Sequence, residues 1–436
     1  MAASVPRHVA ILDRLEQLGI RLGLDSTRGI LAELGSPERS LRVVLIAGTN
    51  GKGSTAAFLQ AIATAAGYRT GFYSSPHLET PEERIRIDGH SIAGARLGEL
   101  LERVVAAGEK ANGAPPTYFE ALTAAAYAHF AAERVELAIV EVGMGGRLDS
   151  TNTADPILSL VTPIALDHRE HLGETLAAIA AEKAGIFRPG RHAIAWTEEP
   201  EVRAALRRVA AERRALLFFA AERVQIAGIA RDDLAGQRVR LRFVDGDRVF
   251  ETRLLGRHQA RNLALAVLAA ETLGGFDFPG LDAEASERGA RRCRWPGRLE
   301  PVALPDGRTV ILDGAHNPAG VAAVADFVGE LGRPPDLLFG ALADKDAEGM
   351  LPALAPRVGR ITLTAPPSPR ALDPRDLALV VAEREVALEP DPERALDHAL
   401  ATTGGTLLVC GSLYLVGDLR AALRRRFGVP PPAADL

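Results

Sequence analysis

Residues 43–67 read "VVLIAGTNGKGSTAAFLQAIATAAG", and the parsing of this run decides the fold. Five apolar residues, three of them β-branched, fit a strand buried on both faces. A glycine-rich turn with one lysine and three hydroxyls (Thr49, Ser54 and Thr55) follows, and then an alanine-rich stretch of helical length. A strand that feeds such a turn into a helix makes a cradle for phosphate. Gly51 and Gly53 let backbone N–H groups face an anion, and the helix N-terminus adds its partial positive charge. Lys52 is placed to reach β- and γ-phosphates, and Ser54 or Thr55 to offer a hydroxyl to Mg2+. The spacing departs from the common G-x-x-x-x-G-K-[ST]: the loop is shorter and a glycine follows the lysine.

Outward from this run, short β-rich segments alternate with helix-length ones: "RTGFYSS" (69–75), "ELAIVEVG" (136–143) and "ILSLVTPIALDH" (157–168). Such alternation predicts βαβ units in a mainly parallel sheet, with ligands at the carboxyl ends of the strands. Residues 221–255 change character, and "VDGD" between two alternating runs predicts an antiparallel hairpin in a small appended sheet. "HQARNLALAVLAAETLG" (258–274) reads as a helix closed by glycines. Pro296 and Gly297 then punctuate a boundary, after which the alternation restarts with "TVILDGAHNPAG", "DLLFGALADKD", "RITLTAP" and "TLLVCGSLYLVGDLR". The expected fold class is therefore α/β. A P-loop-containing, mainly parallel ATPase domain spans 1–295, and a smaller Rossmann-like α/β domain spans 296–436. The proline-rich tail "VPPPAADL" (429–436) is expected to be ordered only by docking.

The 436 residues are 47% hydrophobic and 25% charged, without an apolar run of membrane-spanning length. The amino-terminal apolar patch is followed at once by Asp13, Arg14 and Glu16 and reads as mature sequence rather than as a secretory signal. Two distant cysteines, Cys293 and Cys410, make neither a disulfide framework nor a thiolate metal cluster, which fits a cytoplasmic protein. The net charge of −5, from 51 basic and 56 acidic residues with the signs interspersed, argues against a nucleic-acid partner. No membrane partner is expected either, and a monomer is the default.

Further chemistry-bearing residues fall at predicted strand ends: Ser74 and Ser75 after "GFY", Glu141 after "LAIV" where a nucleotide-binding sheet presents an acid to Mg2+, and Asp167 and His168 after "VTPIAL", with Lys183 on the following helix. These segments, in this order, resemble the folylpolyglutamate synthase/dihydrofolate synthase family of the muramyl ligase superfamily. The segments that carry the resemblance are "AGTNGKGST", "SSPHLETPEERIRIDG", "TYFEALT", "EVGMGGRLDSTN", "ALDHREHLG", "EKAGIF", "GRHQARN", "PGRLE", "LDGAHNP", "DKD" and "GSLYLVGDLR". Met144 stands where leucine is more usual.

The resemblance implies an ATP-dependent ligase. A substrate carboxylate attacks the γ-phosphate, and the amine of L-glutamate displaces phosphate from the acyl phosphate. It implies dihydropteroate, reduced folates, L-glutamate and ATP as small-molecule substrates. It places ATP phosphates on Gly51, Lys52, Gly53 and Ser54, and one Mg2+ on Ser75 and Glu141. A second Mg2+ would lie with Glu141, His168 and a carbamylated Lys183. Asn262 and Arg298 would contact the nucleotide, Asp313 would face ATP, and His316 would handle the incoming glutamate, with Ser412 a further candidate. Thr117, Tyr118, Phe119 and Glu120 and the loop Leu148, Asp149 and Ser150 would hold the pteroate, an aromatic pair beside an acid being suited to a pterin. Two rivals remain. A muramyl-peptide synthetase would need a UDP-binding domain ahead of Gly48, where 47 residues stand. A regulatory P-loop ATPase would hydrolyse ATP indifferently to glutamate and folate.

Overall fold

The computed structural model describes residues 5–19 and 21–430. Residues 431–436 of the proline-rich tail and the first four residues of the amino-terminal segment lie outside the described residues. A larger sheet contains β1 (Val43–Ala47), β2 (Thr70–Tyr73), β3 (Ile85–Ile87), β4 (His90–Ser91), β5 (Leu137–Glu141), β6 (Pro156–Val161), β7 (His192–Ala195) and β8 (Leu216–Phe219). Their order is β4-β3-β2-β5-β1-β6-β7-β8. From β2 to β8 the neighbours are parallel, and β3 and β4 add an antiparallel edge.

The unbroken apolar character of β1 follows from its place in the middle. Val43, Leu45 and Ala47 enter one core, and Val44 and Ile46 enter the other. The first core is covered by helices such as Gly94–Asn112 and Tyr118–Ala132, the second by Lys52–Ala65 and Arg257–Gly274. Since β1, β2, β5 and β6 are parallel neighbours, the segments that leave them emerge on one side.

The appended sheet has three strands, β9 (Val224–Asp232), β10 (Gly236–Phe243) and β11 (Gly246–Thr252). "VDGD" forms the β10–β11 hairpin, with Phe243 opposite Gly246. A second turn at Asp233–Ala235 adds β9, one strand more than a single hairpin.

The chain leaves the helix Ala283–Arg292 and enters a second body, built on a six-stranded sheet, at β12 (Glu300–Ala303), followed by β13 (Thr309–Leu312), β14 (Asp336–Phe339), β15 (Ile361–Leu363), β16 (Val386–Leu388) and β17 (Thr406–Cys410). The order β12-β13-β17-β14-β15-β16 is parallel except for β12. Trp295, in the crossing segment, packs edge-on to Phe72 at 5.4 Å between ring centroids. Its ring lies so close to the P-loop that a Cβ on Gly53 would sit 2.9 Å from Trp295 Cζ2.

Candidate active site

Between β1 and the helix Lys52–Ala65 the backbone needs two left-handed turns, at Gly48 (φ 150) and Gly51 (φ 92). A Cβ at Gly48 would overlap Thr162 Oγ1, and one at Gly51 would overlap Asn262 Oδ1. Glycine is thus required twice, once by conformation and once by contact. The helix N-terminus carries neither a capping side chain nor an acid in its first turn, so its leading N–H groups remain free for an anion. Gly51→Ala is expected to cost roughly 1–2 kcal/mol in urea unfolding from the left-handed backbone alone. The same substitution would also force Asn262 to retreat from the loop. Of Ser54 and Thr55, Ser54 lines the cavity and its Oγ accepts from Gln259 Nε2 at 3.3 Å, whereas Thr55 is wholly buried and outside the lining.

A cavity of about 420 Å3 opens over this loop. Gly51, Lys52, Gly53, Ser54, Ser75, Glu141, His168 and Lys183 line it from the larger sheet, joined by Asn262, Arg298, Asp313 and His316. Lys52 Nζ donates to Thr49 O at 3.2 Å and lies 4.0 Å from Glu141 Oε1. Glu141 ends β5, is buried, and accepts the Ser75 N–H at 3.3 Å. Burial raises its pKa against the lowering effect of Lys52 and the Ser75 hydrogen bond. Lys183, the last residue of the helix Leu176–Lys183, is buried and donates to Gly48 O at 2.7 Å. Burial, then the charge of Lys52, push its pKa down to about 7.

Asp167 and His168 do not sit at a strand end. β6 stops at Val161, six residues before Asp167, because Pro163 has no N–H to continue the ladder and its carbonyl accepts from Thr49 and Asn50. The loop so formed lines the cavity, with His168 in a left-handed backbone conformation (φ 51). Asp167 accepts from the His168 N–H at 3.0 Å, from Lys345 Nζ at 3.2 Å and from Asn317 Nδ2 at 3.3 Å. Burial alone would raise this carboxyl, but His168, Lys345 and His316 outweigh it and hold it below the usual carboxylate range.

From the second body, Asp313 spends both carboxylate oxygens on backbone, accepting from Leu299 N and Ala315 N at 2.8 Å each. His316 Nδ1 lies 2.8 Å from Gly314 O. Since a carbonyl only accepts, Nδ1 carries the proton and the neutral ring keeps a lone pair on Nε2. Burial lowers the pKa of His316 to about 4, so the ring is neutral at physiological pH. Asn50 and Asn317 exchange two amide hydrogen bonds of 3.1 Å across the cleft, and Asn317 also caps the helix Pro318–Gly329.

Eight further sequence candidates lie outside this cavity lining. Thr117 and Glu120 form a capping box on the helix Tyr118–Ala132, with Thr117 N donating to Glu120 Oε2 at 2.8 Å. Thr117→Ala should cost about 1 kcal/mol in urea unfolding through loss of the cap. Tyr118 lies under the Arg84 guanidinium at 5.0 Å, and Phe119 packs against Tyr73. Asp149 is buried and accepts from Met144 N, Thr151 N and Thr151 Oγ1, shaping the loop that carries Leu148 and Ser150. Ser412 caps the helix Leu413–Phe427. Sequence reasoning missed Asn50, Gln259, Asn317 and Lys345 as individuals. For Asn317 a signal was available in the Asn-Pro that opens a helical run.

Ser75 and Glu141 supply the hard oxygen donors that Mg2+ takes. Among the described residues no three His, Cys, Asp or Glu side chains converge as a ready-made metal cage. Glu141 is nonetheless a buried carboxylate whose nearest cation is 4.0 Å away, a setting that a bound divalent ion would complete. Among the described residues no helix is long and apolar enough to cross a membrane.

Comparison with known proteins bears directly on this arrangement. Residues 46–270 match the Mur ligase middle domain and residues 297–413 the glutamate ligase domain of Mur ligases. The chain is 33% identical to the dihydrofolate synthase/folylpolyglutamate synthase of Bacillus subtilis, over 94% of this chain and 96% of that protein. It is 36% identical to a probable bifunctional folylpolyglutamate synthase/dihydropteroate synthase of Halobacterium salinarum, over 95% of this chain and 51% of that one, so it spans about half the length of that relative. The solved structure of E. coli FolC in complex with DHPP and ADP superposes with a TM-score of 0.85 at 32% identity, covering 97% of this chain and 99% of that one.

Proposed function

The chain belongs to the folylpolyglutamate synthase/dihydrofolate synthase family, and from that premise we propose that it is an ATP-dependent ligase joining L-glutamate to dihydropteroate and to reduced folates. One observation carries the reading. The P-loop lysine, a strand-end glutamate and a buried lysine from one body face an arginine, an aspartate and a neutral histidine from the other across a single cavity. A carboxylate is a poor electrophile, and activating it by phosphoryl transfer calls for positioned cations around the γ-phosphate. Gly51, Gly53 and the helix N-terminus hold the phosphates, Lys52 and Arg298 supply positive charge to them, and Asn262 keeps the loop in shape. The substrate carboxylate attacks the γ-phosphorus and ADP leaves. The amine of glutamate then attacks the acyl carbon and phosphate leaves. His316 Nε2 is the lone pair placed to accept a hydrogen bond from that amine.

Ser75 and Glu141 would hold one Mg2+, and Glu141, His168 and Lys183 a second; when bound, these ions neutralise phosphate charge. Lys183 fits this only as a carbamate, formed when the neutral amine attacks CO2 and loses a proton to solvent. The division of the chain at 295/296, with ATP and folate on the first part and glutamate on the second, belongs to the same proposal, as does a cytoplasmic monomer without nucleic-acid or membrane partners.

The test is an ATP- and glutamate-dependent ligation assay run separately with dihydropteroate and with a reduced folate. Both should yield the glutamylated product. ADP release indifferent to glutamate and to both acceptors would overturn the ligase reading. Extension of the folate alone would remove the dihydrofolate synthase activity. The pteroate is assigned to Tyr118, Phe119, Glu120 and the 148–150 loop, with Glu120 Oε1, buried and accepting no hydrogen bond, as the acceptor for pterin N–H groups. Glu120→Ala should therefore impair the dihydropteroate reaction more than it weakens ATP binding, measured side by side.

A further inference from the structure

Arg420 lies in the last helix of the second body, far in sequence from any nucleotide-binding motif, yet its side chain is 2% exposed. Its guanidinium forks onto Glu300, with Nε 2.9 Å from Oε2 and Nη2 2.9 Å from Oε1. Nη1 donates to Glu79 Oε1 at 2.6 Å, and Arg424, one turn further along the same helix, brings Nη2 to 2.8 Å from Glu79 Oε2. Glu79 belongs to the first body, in the loop that leaves β2, and its side chain is equally buried. Glu300 Oε2 also accepts the Gly297 N–H at 2.9 Å, next to Arg298. One cation thus binds the linker on one side and a loop of the opposite body on the other.

That loop is stiff. Glu83 accepts the backbone N–H groups of Leu78, Glu79 and Thr80 at 2.7–2.9 Å, winding the segment around one buried carboxylate. The loop is also pressed onto the helix of the second body: a Cβ on Gly417 would overlap Leu78 O, and Leu78 joins the core of the second body. Three residues before Leu78 stands Ser75, whose N–H is bonded to Glu141 Oε2 inside the cavity. A stiff segment therefore has one end in the phosphate-binding cleft and the other end seated on the opposite body.

We propose that Arg420, with Arg424 beside it, is a positioning residue: through Glu79 the two arginines seat the Leu78–Thr80 loop on the second body, so that Ser75 and Glu141 take their working places only when that body is docked. The proposal concerns the same site and rests on the ligase reading for what turnover measures.

Glu79→Ala is the discriminating variant, since it removes the carboxylate held by Arg420 and Arg424 and leaves the Arg420–Glu300 fork intact. Gly417→Ala, which lifts the loop by steric contact, is the second. Both are compared with native enzyme by kcat and KM for ATP and glutamate, and by hydrogen exchange of the 74–84 segment and of the helix Leu413–Phe427. The expected result is a fall in kcat of about tenfold with KM changed less than threefold. Exchange should accelerate in 74–84 and stay native in the helix. A merely structural role would instead open the helix, lower the unfolding midpoint and leave kcat per folded molecule unchanged. Native exchange in 74–84 with either variant folded overturns the proposal whatever the assay substrate. Altered exchange with an enzyme that shows no glutamate-dependent turnover even in native form overturns the ligase reading and leaves the tie standing.

Discussion

Lys52→Ala should reduce glutamate-dependent ADP release by at least a thousandfold while the thermal unfolding midpoint moves by only a few degrees. The loss corresponds to roughly 4 kcal/mol of transition-state stabilisation. It follows from the geometry: Lys52 Nζ projects over the loop with one backbone acceptor at 3.2 Å and a carboxylate at 4.0 Å, and packs into neither core. Its removal takes positive charge from the place where phosphate charge builds up and leaves the folding contacts almost untouched. Glu141 becomes harder to ionise without it, because burial already raises that carboxyl and Lys52 opposes the rise. A Lys52→Ala enzyme that turns over at the native rate would end the phosphate-cradle reading.

Lys183→Ala is expected to be as severe, with the additional mark that short carboxylates at high concentration restore part of the activity by standing in for the carbamate. The native-state mass should show an added CO2 that acid releases. The sign of the pH dependence follows from burial. With its pKa brought down to about 7, Lys183 is increasingly neutral above that pH, so carbamate content should rise from about pH 6 to about pH 8. In CO2-free buffer the same shift makes the folded chain shed this proton before the unfolded chain does. Stability therefore gains with pH from about 7 towards the unfolded value of about 10.4, and Lys183→Ala should flatten that slope. An unmodified ammonium in the metal- and ATP-loaded protein would exclude the carbamate.

The strand, loop and helix around Lys52 were legible in sequence because each is a local matter: an apolar run, glycines that the backbone needs, and an alanine-rich periodicity. Glu141 was legible for the same reason, as the first acid after four apolar residues of one strand. Asp167 and His168 were placed at a strand end because "VTPIALDH" stays apolar up to the acid. The structure ends the strand at Val161, since the proline after Thr162 breaks the ladder and the P-loop takes over the carbonyl. What local reading does not reach are the ties between the bodies. Asn50 and Asn317 are 267 positions apart, Asp167 and Lys345 178, and Glu79 and Arg420 341. Each partner alone resembles an ordinary surface polar residue. Only the docking of two sheets turns it into a partly buried contact, and nothing in either neighbourhood encodes the other.

The reciprocal amide pair between Asn50 and Asn317 bears on how such enzymes can be recombined. Each side chain presents its oxygen to the other's NH2, so the pair is self-matching, and an aspartate on one side would set two acceptors face to face. One of the two amides stands inside the phosphate loop itself. A hybrid built by splicing the front half of this chain to the back half of a relative therefore inherits half of a handshake. Such splices should yield folded halves with idle chemistry unless both asparagines travel together, and restoring the missing amide should revive turnover without raising the melting point of either half.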